Sequence, residues 1–282
     1  MLQNQIYIDQ LVFEMQYRNY SIRTIKTYKE LLITLRHKIK LPLSEINSEQ
    51  LKKYLHSRIT EENISVSTIN QTISAFKIFQ TDVLKRDWEG FKIKRPRREK
   101  RLPVVLSEQE VEQIIKVTRN IKHKALLMLA YSAGLRRQEV QRIKPSAIDS
   151  KRMMVQVFQG KGKKDRYTLL SQKTLDLLRA YYKIYRPENY LFESQIRKGQ
   201  FLSETSIDNI IKKNVAKAGI KKNISFHILR HSFATHLLER SVNLKVIQQL
   251  MGHNSLKTTS VYLHVANINP ANIVSPLDSM NL

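Results

Sequence analysis

The chain has 282 residues, and its 49 Lys and Arg against 24 Asp and Glu leave a net charge of +25. That length holds one large domain or two ordinary ones, and 41% hydrophobic residues at periodic positions argue against wholesale disorder. With no cysteine, disulfides, thiolate metal sites and cysteine nucleophiles are excluded, and only seven glycines disfavour Gly-rich cofactor folds. No apolar run of 18 residues and no signal-like N-terminus is present, so neither a membrane partner nor secretion is expected and the site of action is taken as cytoplasmic. The cationic excess points to a polyanionic partner, most simply nucleic acid, against the alternative of a merely soluble basic protein.

From the N-terminus, about ninety residues read as helices. Ser21, Ser48 and Ser67 are the expected N-caps before IRTIKTYKELLITL, EQLKKYLHSRI and TINQTISAFKIFQTDVL. Ile69, Ile73, Phe76 and Phe79 recur at helical spacing and read as a core stripe, which Trp88 closes. KIKRPRREKR then reads as a linker, whose Lys92, Lys94, Arg95, Arg97, Arg98, Lys100 and Arg101 suit a DNA phosphate track. Beyond it, Ser107 and Glu110 form a capping box, and a second helix runs through Ala125 to Tyr131 and ends at Gly134. The period then changes: 153–158 and 166–170 read as two strands joined by a GKGK turn. Helices are expected again at 171–185, 203–218, 226–239, 243–251 and 255–263.

The common catalytic signatures are missing. QGKGKK lacks the glycine and the hydroxyl residue of a phosphate loop. His227 and His231 are four apart on a helix, but Arg230 lies between them and no third ligand is evident, so no metal site is assigned. No carboxylate cluster suits a two-metal nuclease. What remains is dispersed: Arg136 and Glu139 in YSAGLRRQEV, Lys161 at the hairpin tip, His227 and Arg230 three apart at a helix start, His253 in LMGH, and Tyr262 nine residues later. Each alone has a plain explanation, as a surface charge, a solvated turn, a helix cap or a core ring.

Together they are more specific. SAGLRRQEV, VFQGKGKKDRYTLL, SFHILRHSFATHLLE and IQQLMGHNSLKTTSVYLHV resemble, in order and spacing, the Arg, hairpin-lysine, HxxR and final His/Tyr boxes of the tyrosine recombinase (phage integrase) family. YSIRTIKTYKELL and SVSTINQTISAFKIF are similar to its core-binding domain, so the resemblance covers nearly the whole chain. It is nearest the short Xer-type and integron-like members, and the lack of an extra helix before His227 leans it to the Xer side.

The resemblance implies a mainly α, two-domain DNA clamp. A helical SAM-like core-binding domain (1–91) and a basic linker (92–106) precede a mostly helical catalytic domain with a small antiparallel sheet (107–265), the DNA breaking-rejoining enzyme fold. The tail, 266–282, is expected to dock on a neighbouring subunit. The implied activity is site-specific recombination of double-stranded DNA through a 3′-phosphotyrosyl intermediate, in a homotetramer on two DNA sites, with a monomer or dimer off DNA. Tyr262 would be the nucleophile, Arg136 and Arg230 would hold the non-bridging oxygens, and Lys161 would protonate the leaving oxygen. His227 would accept the tyrosine proton, His253 would donate to the phosphate, and Glu139 would orient the arginine loop. Neither cofactor nor metal is then required. Two alternatives stand beside this reading: a type IB topoisomerase, which shares the chemistry, and a non-catalytic architectural DNA-binding protein.

Overall fold

The computed structural model describes residues 2–88, 93–97, 102–158, 165–197, 199–222 and 224–267. The chain divides into two compact units, Met1–Lys100 and Arg101–Leu282.

The N-terminal unit is helical: α1 (Leu2–Tyr17), α2 (Ile22–Ile39), α3 (Ser48–Thr60) and α4 (Val66–Ile78), the last continued by a π-helical turn, Phe79–Val83. Ser21 caps α2, accepting from the Thr24 N–H at 3.1 Å. The other two caps fall earlier than the sequence reading placed them. Asn47, not Ser48, caps α3, because Gln50 stands three residues on and returns a bond to the Asn47 N–H at 2.9 Å; Ser48 would have had Leu51 there, which cannot reciprocate. Ser65, not Ser67, caps α4, and its hydroxyl also meets Thr68 Oγ1 at 2.9 Å. Ile69, Ile73, Phe76 and Phe79 are all buried in one core, and Trp88 packs edge-on against Phe76, with ring centroids 6.5 Å apart.

The C-terminal unit begins with α5 (Glu108–Val117), whose capping box joins Ser107 and Glu110, followed by α6 (Ile121–Ser132) and α7 (Arg137–Arg142). Three short strands form an antiparallel sheet in the order β1 (Ile148–Asp149), β2 (Met154–Val157), β3 (Arg166–Leu169). The β2–β3 register pairs Val155 with Thr168 and Val157 with Arg166. β1 escaped the sequence reading because two residues are too few to show a period. Then come α8 (Gln172–Tyr185), α9 (Glu204–Lys217), α10 (His227–Glu239), α11 (Leu244–Met251) and α12 (Leu256–Thr259). The segment read as one helix over 255–263 is α12 followed by a 3₁₀ turn, Ser260–His264. α6 lies at the centre, with Leu126, Leu129 and Ala130 fully buried, and the apolar faces of α8, α9 and α10 join the same core. No helix among the described residues is long and apolar enough to cross a membrane.

Candidate active site

The end of α6 is set by Gly134, which takes a left-handed conformation (φ 58°), while the Leu135 N–H donates to the Ala130 carbonyl at 3.0 Å. A side chain does not fit there, since a Cβ would stand 2.3 Å from Phe233 Cδ1. Two residues on, Arg136 occupies the N-cap of α7. Glu139 reaches back so that one carboxylate oxygen accepts the Arg136 backbone N–H and the other its guanidinium, each at 2.8 Å. The Arg-x-x-Glu spacing therefore starts a helix and aims an arginine with the same carboxylate.

Gly252 (φ 60°) ends α11 in the same way. The last carbonyls of a helix lack intrahelical donors and carry partial negative charge. Here three successive ones are taken by three guanidiniums. Arg166 Nε donates to Leu250 at 2.9 Å, Arg230 to Met251, and Arg136 to Gly252 at 3.2 Å. Arg230 also donates to the Gly134 carbonyl at 2.6 Å, so the ends of α6 and α11 share one cation. Glu139 receives a two-pronged pair from Arg166, both bonds at 2.7 Å, and lies 3.8 Å from Arg230. Burial alone would raise the Glu139 pKa, but the bonds from Arg166 and Arg136 overcome it and hold the carboxyl at about 2. One carboxylate against three guanidiniums leaves this cluster two positive charges in excess.

α10 projects His227, Arg230 and His231, at i, i+3 and i+4, toward one side. His253 follows Gly252, with its Nδ1 2.9 Å from Thr259 Oγ1. Tyr262, on the 3₁₀ turn, is buried; its hydroxyl lies 3.0 Å from His231 Nδ1, and its ring is nearly parallel to that of His253, 6.5 Å away. Arg136, His227, Arg230, His231, His253 and Tyr262 all line one cavity of about 580 Å³. Burial and neighbouring cationic groups lower His227, hold His231 at about 4 and hold His253 at about 3, so the three rings are neutral at pH 7. Burial raises the Tyr262 phenol against the pull of Arg230 and Arg136, so at rest it keeps its proton. A phenol, an anion seat and neutral imidazoles in one cavity are the parts needed to attack a phosphate ester.

The structure thus brings five of the sequence-derived residues, Arg136, His227, Arg230, His253 and Tyr262, to one cavity, with Glu139 behind the arginines. Lys161 lies outside the described residues, as do Lys92, Arg98, Lys100, Arg101 and the tail from 268 onward. Lys94 and Arg97 are exposed on the N-terminal unit, while the Arg95 guanidinium bonds the Asn70 carbonyl at 2.8 Å and Ser74 Oγ at 3.0 Å. Among the described residues, no group of three His, Asp or Glu stands close enough to hold a metal ion. Two residues escaped the sequence reading. Arg166 carried a signal: two residues before the buried Thr168 on β3, it shares that inward face, where a cation needs a partner. His231 stands four residues from His227, a spacing that suggests only a metal pair, and nothing in it predicts contact with a tyrosine 31 residues away.

Residues 104–268 match the Phage integrase family, and residues 7–90 match the Phage integrase N-terminal SAM-like domain. A Sinorhizobium fredii protein named as an integrase/recombinase, y4qK, is 36% identical over 267 residues, covering 94% of this chain and 86% of that protein. Tyrosine recombinase XerA of Pyrococcus horikoshii is 36% identical over 212 residues, covering 74% of this chain and 73% of its own. The crystal structure of XerH site-specific recombinase, bound to a palindromic difH substrate in a post-cleavage complex, shares the fold: TM-score 0.71, 22% identity, 89% of this chain and 78% of that one. With both units matched and more than a third of the residues shared with relatives along most of its length, the chain belongs to the phage integrase family and is a tyrosine-type site-specific recombinase.

Proposed function

We propose that the chain cleaves and rejoins double-stranded DNA through a covalent 3′-phosphotyrosyl intermediate at Tyr262. The observation that carries this reading is the placement of Tyr262 on the wall of one cavity with Arg136 and Arg230. As the phenolic oxygen attacks phosphorus, negative charge grows on the non-bridging oxygens, and a prearranged excess of two positive charges stabilises that change more than the ground state. Planar guanidinium pairs with two such oxygens at once. His253, whose Nδ1 is engaged by Thr259, keeps Nε2 for a phosphate oxygen, and His227 lines the same cavity. Lys161, in the hairpin box, supplies the proton for the departing 5′-oxygen. The phosphotyrosyl ester retains the energy of the broken bond, so a 5′-hydroxyl reverses the step without nucleotide hydrolysis.

Double-stranded DNA as the partner is supported by the net charge of +25 and by the substrate-bound state of the structurally similar XerH. Exchange between two duplexes requires four cleavages, and one protomer per half-site makes the working assembly a homotetramer.

The test is a nicked suicide substrate, from which the leaving strand diffuses away, followed by denaturing electrophoresis. The parental protein is expected to accumulate a covalent adduct, and Tyr262→Phe to bind the same DNA without forming one. An adduct in the phenylalanine variant would remove Tyr262 as the nucleophile.

A further inference from the structure

Three imidazoles line the cavity, and they are not equivalent. His253 turns its Nδ1 to Thr259, and no hydrogen bond joins either His253 or His227 to Tyr262 among the described residues. Only His231 reaches the tyrosine hydroxyl, with Nδ1 3.0 Å from Oη and the two rings tilted by 50°. That is the range in which a base must stand to take a proton.

A tyrosine–histidine bond can be mere packing, and this unit holds such a pair for comparison. Tyr131 Oη meets His236 Nδ1 at 2.8 Å, but the two line a different cavity, beside Ile115, Met128, Phe233, Lys173 and Arg240 and apart from the arginines gathered on Glu139. The His231 pair instead shares its cavity with Arg136 and Arg230, where a phosphate would be seated. The groups facing His231 are His227 and Arg230 from its own helix, and Tyr262 and His253 from the segment after α11.

We infer that His231 is a catalytic residue of this site, the proton acceptor for Tyr262. The inference rests on the phosphotyrosyl reading above and replaces His227 in that role. In the step, the Oη–P bond forms as the P–O5′ bond breaks, the Oη proton passes to His231 Nδ1, and the leaving oxygen takes a proton from the acid assigned to Lys161. Religation runs the same transfers backward. The acceptor must begin neutral with its proton on Nε2, and burial keeps the ring neutral at pH 7. The protonated ring that results is stabilised by the negative charge building on the adjacent phosphate.

The experiment follows single-turnover adduct formation on the suicide substrate from pH 6 to pH 10, with binding measured in parallel. His231→Asn keeps a hydrogen-bonding atom near Nδ1 but no base, and His231→Ala opens a space that added imidazole can enter. Both are expected to bind normally and to cleave about 10²-fold or more slowly at neutral pH. The deficit should shrink as rising pH ionises the phenol directly, and imidazole should restore part of the alanine variant's rate. Tyr131→Phe is expected to cleave like the parent. A deficit of equal size at every pH without imidazole rescue, or an asparagine variant at the parental rate, would overturn the inference. If the parent itself forms no adduct, the phosphotyrosyl reading fails; if the parent does and only the His231 outcomes disagree, this inference fails alone.

Discussion

At the scale of single residues, Glu139 is a nearly buried carboxylate facing Arg136, Arg166 and Arg230. Its carboxyl is held at about 2 against an ordinary 4.5. A depressed carboxyl contributes stability that is present above the unfolded pKa and is lost as pH falls through the folded one. The window is therefore pH 4.5 down to about 2, and the contribution at neutral pH is about 3 kcal/mol by linkage. Glu139→Gln is expected to destabilise the C-terminal unit by roughly that amount or somewhat more at pH 7, because it also leaves buried guanidiniums uncompensated. The gap between parent and variant should close toward pH 2, which denaturant unfolding at a series of pH values would measure. His231 and His253 act in the same direction over a higher window. Their folded pKa values of about 4 and 3 lie below the ordinary 6.5, so their stabilisation is full above pH 6.5 and erodes as pH falls toward those values.

At the scale of elements, the site is built from helix ends, and glycines make those ends. Gly134, Gly219 and Gly252 all have left-handed φ, but their surroundings differ. A Cβ at Gly219 meets nothing within 4 Å, one at Gly252 would stand 2.7 Å from Arg166 Cδ, and one at Gly134 would stand 2.3 Å from the Phe233 ring. Gly219→Ala should therefore cost only the backbone penalty, about 1–2 kcal/mol. Gly252→Ala adds displacement of a flexible arginine held by three hydrogen bonds. Gly134→Ala adds a collision with a core ring, which overpacked cores answer with a further loss of roughly 1–3 kcal/mol. Melting temperatures are expected to fall in the order Gly219, Gly252, Gly134. Only the last two should also slow adduct formation, since their carbonyls seat Arg136 and Arg230. A uniform loss across the three would refute the packing argument.

For the molecule as a whole, the +25 charge sets how it meets DNA. Binding should weaken steeply with salt, the log–log slope falling by about 0.9 for each phosphate neutralised. Lys94 and Arg97 are free to serve in this way, whereas Arg95 must first leave its bonds to Asn70 and Ser74 on α4. Alanine at Lys94 or Arg97 is expected to reduce the slope by about one each without changing the single-turnover rate at saturation. Cleavage should survive EDTA if, as proposed, the Arg136 and Arg230 guanidiniums and the Lys161 ammonium supply the charge that a metal would otherwise bring. Loss of activity with EDTA and its return with magnesium would contradict that account.

Much of this protein was legible along the chain. Helical periodicity located most of the helices, and Ser21 and the Ser107–Glu110 box marked helix starts correctly, because capping is settled within four residues. The order of the Arg, Lys, His-x-x-Arg and His/Tyr boxes was enough to recognise the family. The caps of α3 and α4 fall at Asn47 and Ser65 rather than at Ser48 and Ser67: Gln50 reciprocates the Asn47 cap, and Ser65 accepts from the Thr68 N–H. What no local pattern carries is which distant groups meet. Tyr262 and His231, or Arg166 and the Leu250 carbonyl 84 residues away, are joined only when α11 packs against β3 and α10, and α10 against the 3₁₀ turn. A histidine's place in a helix is decided by its neighbours in sequence; what its Nδ1 faces is decided by the fold.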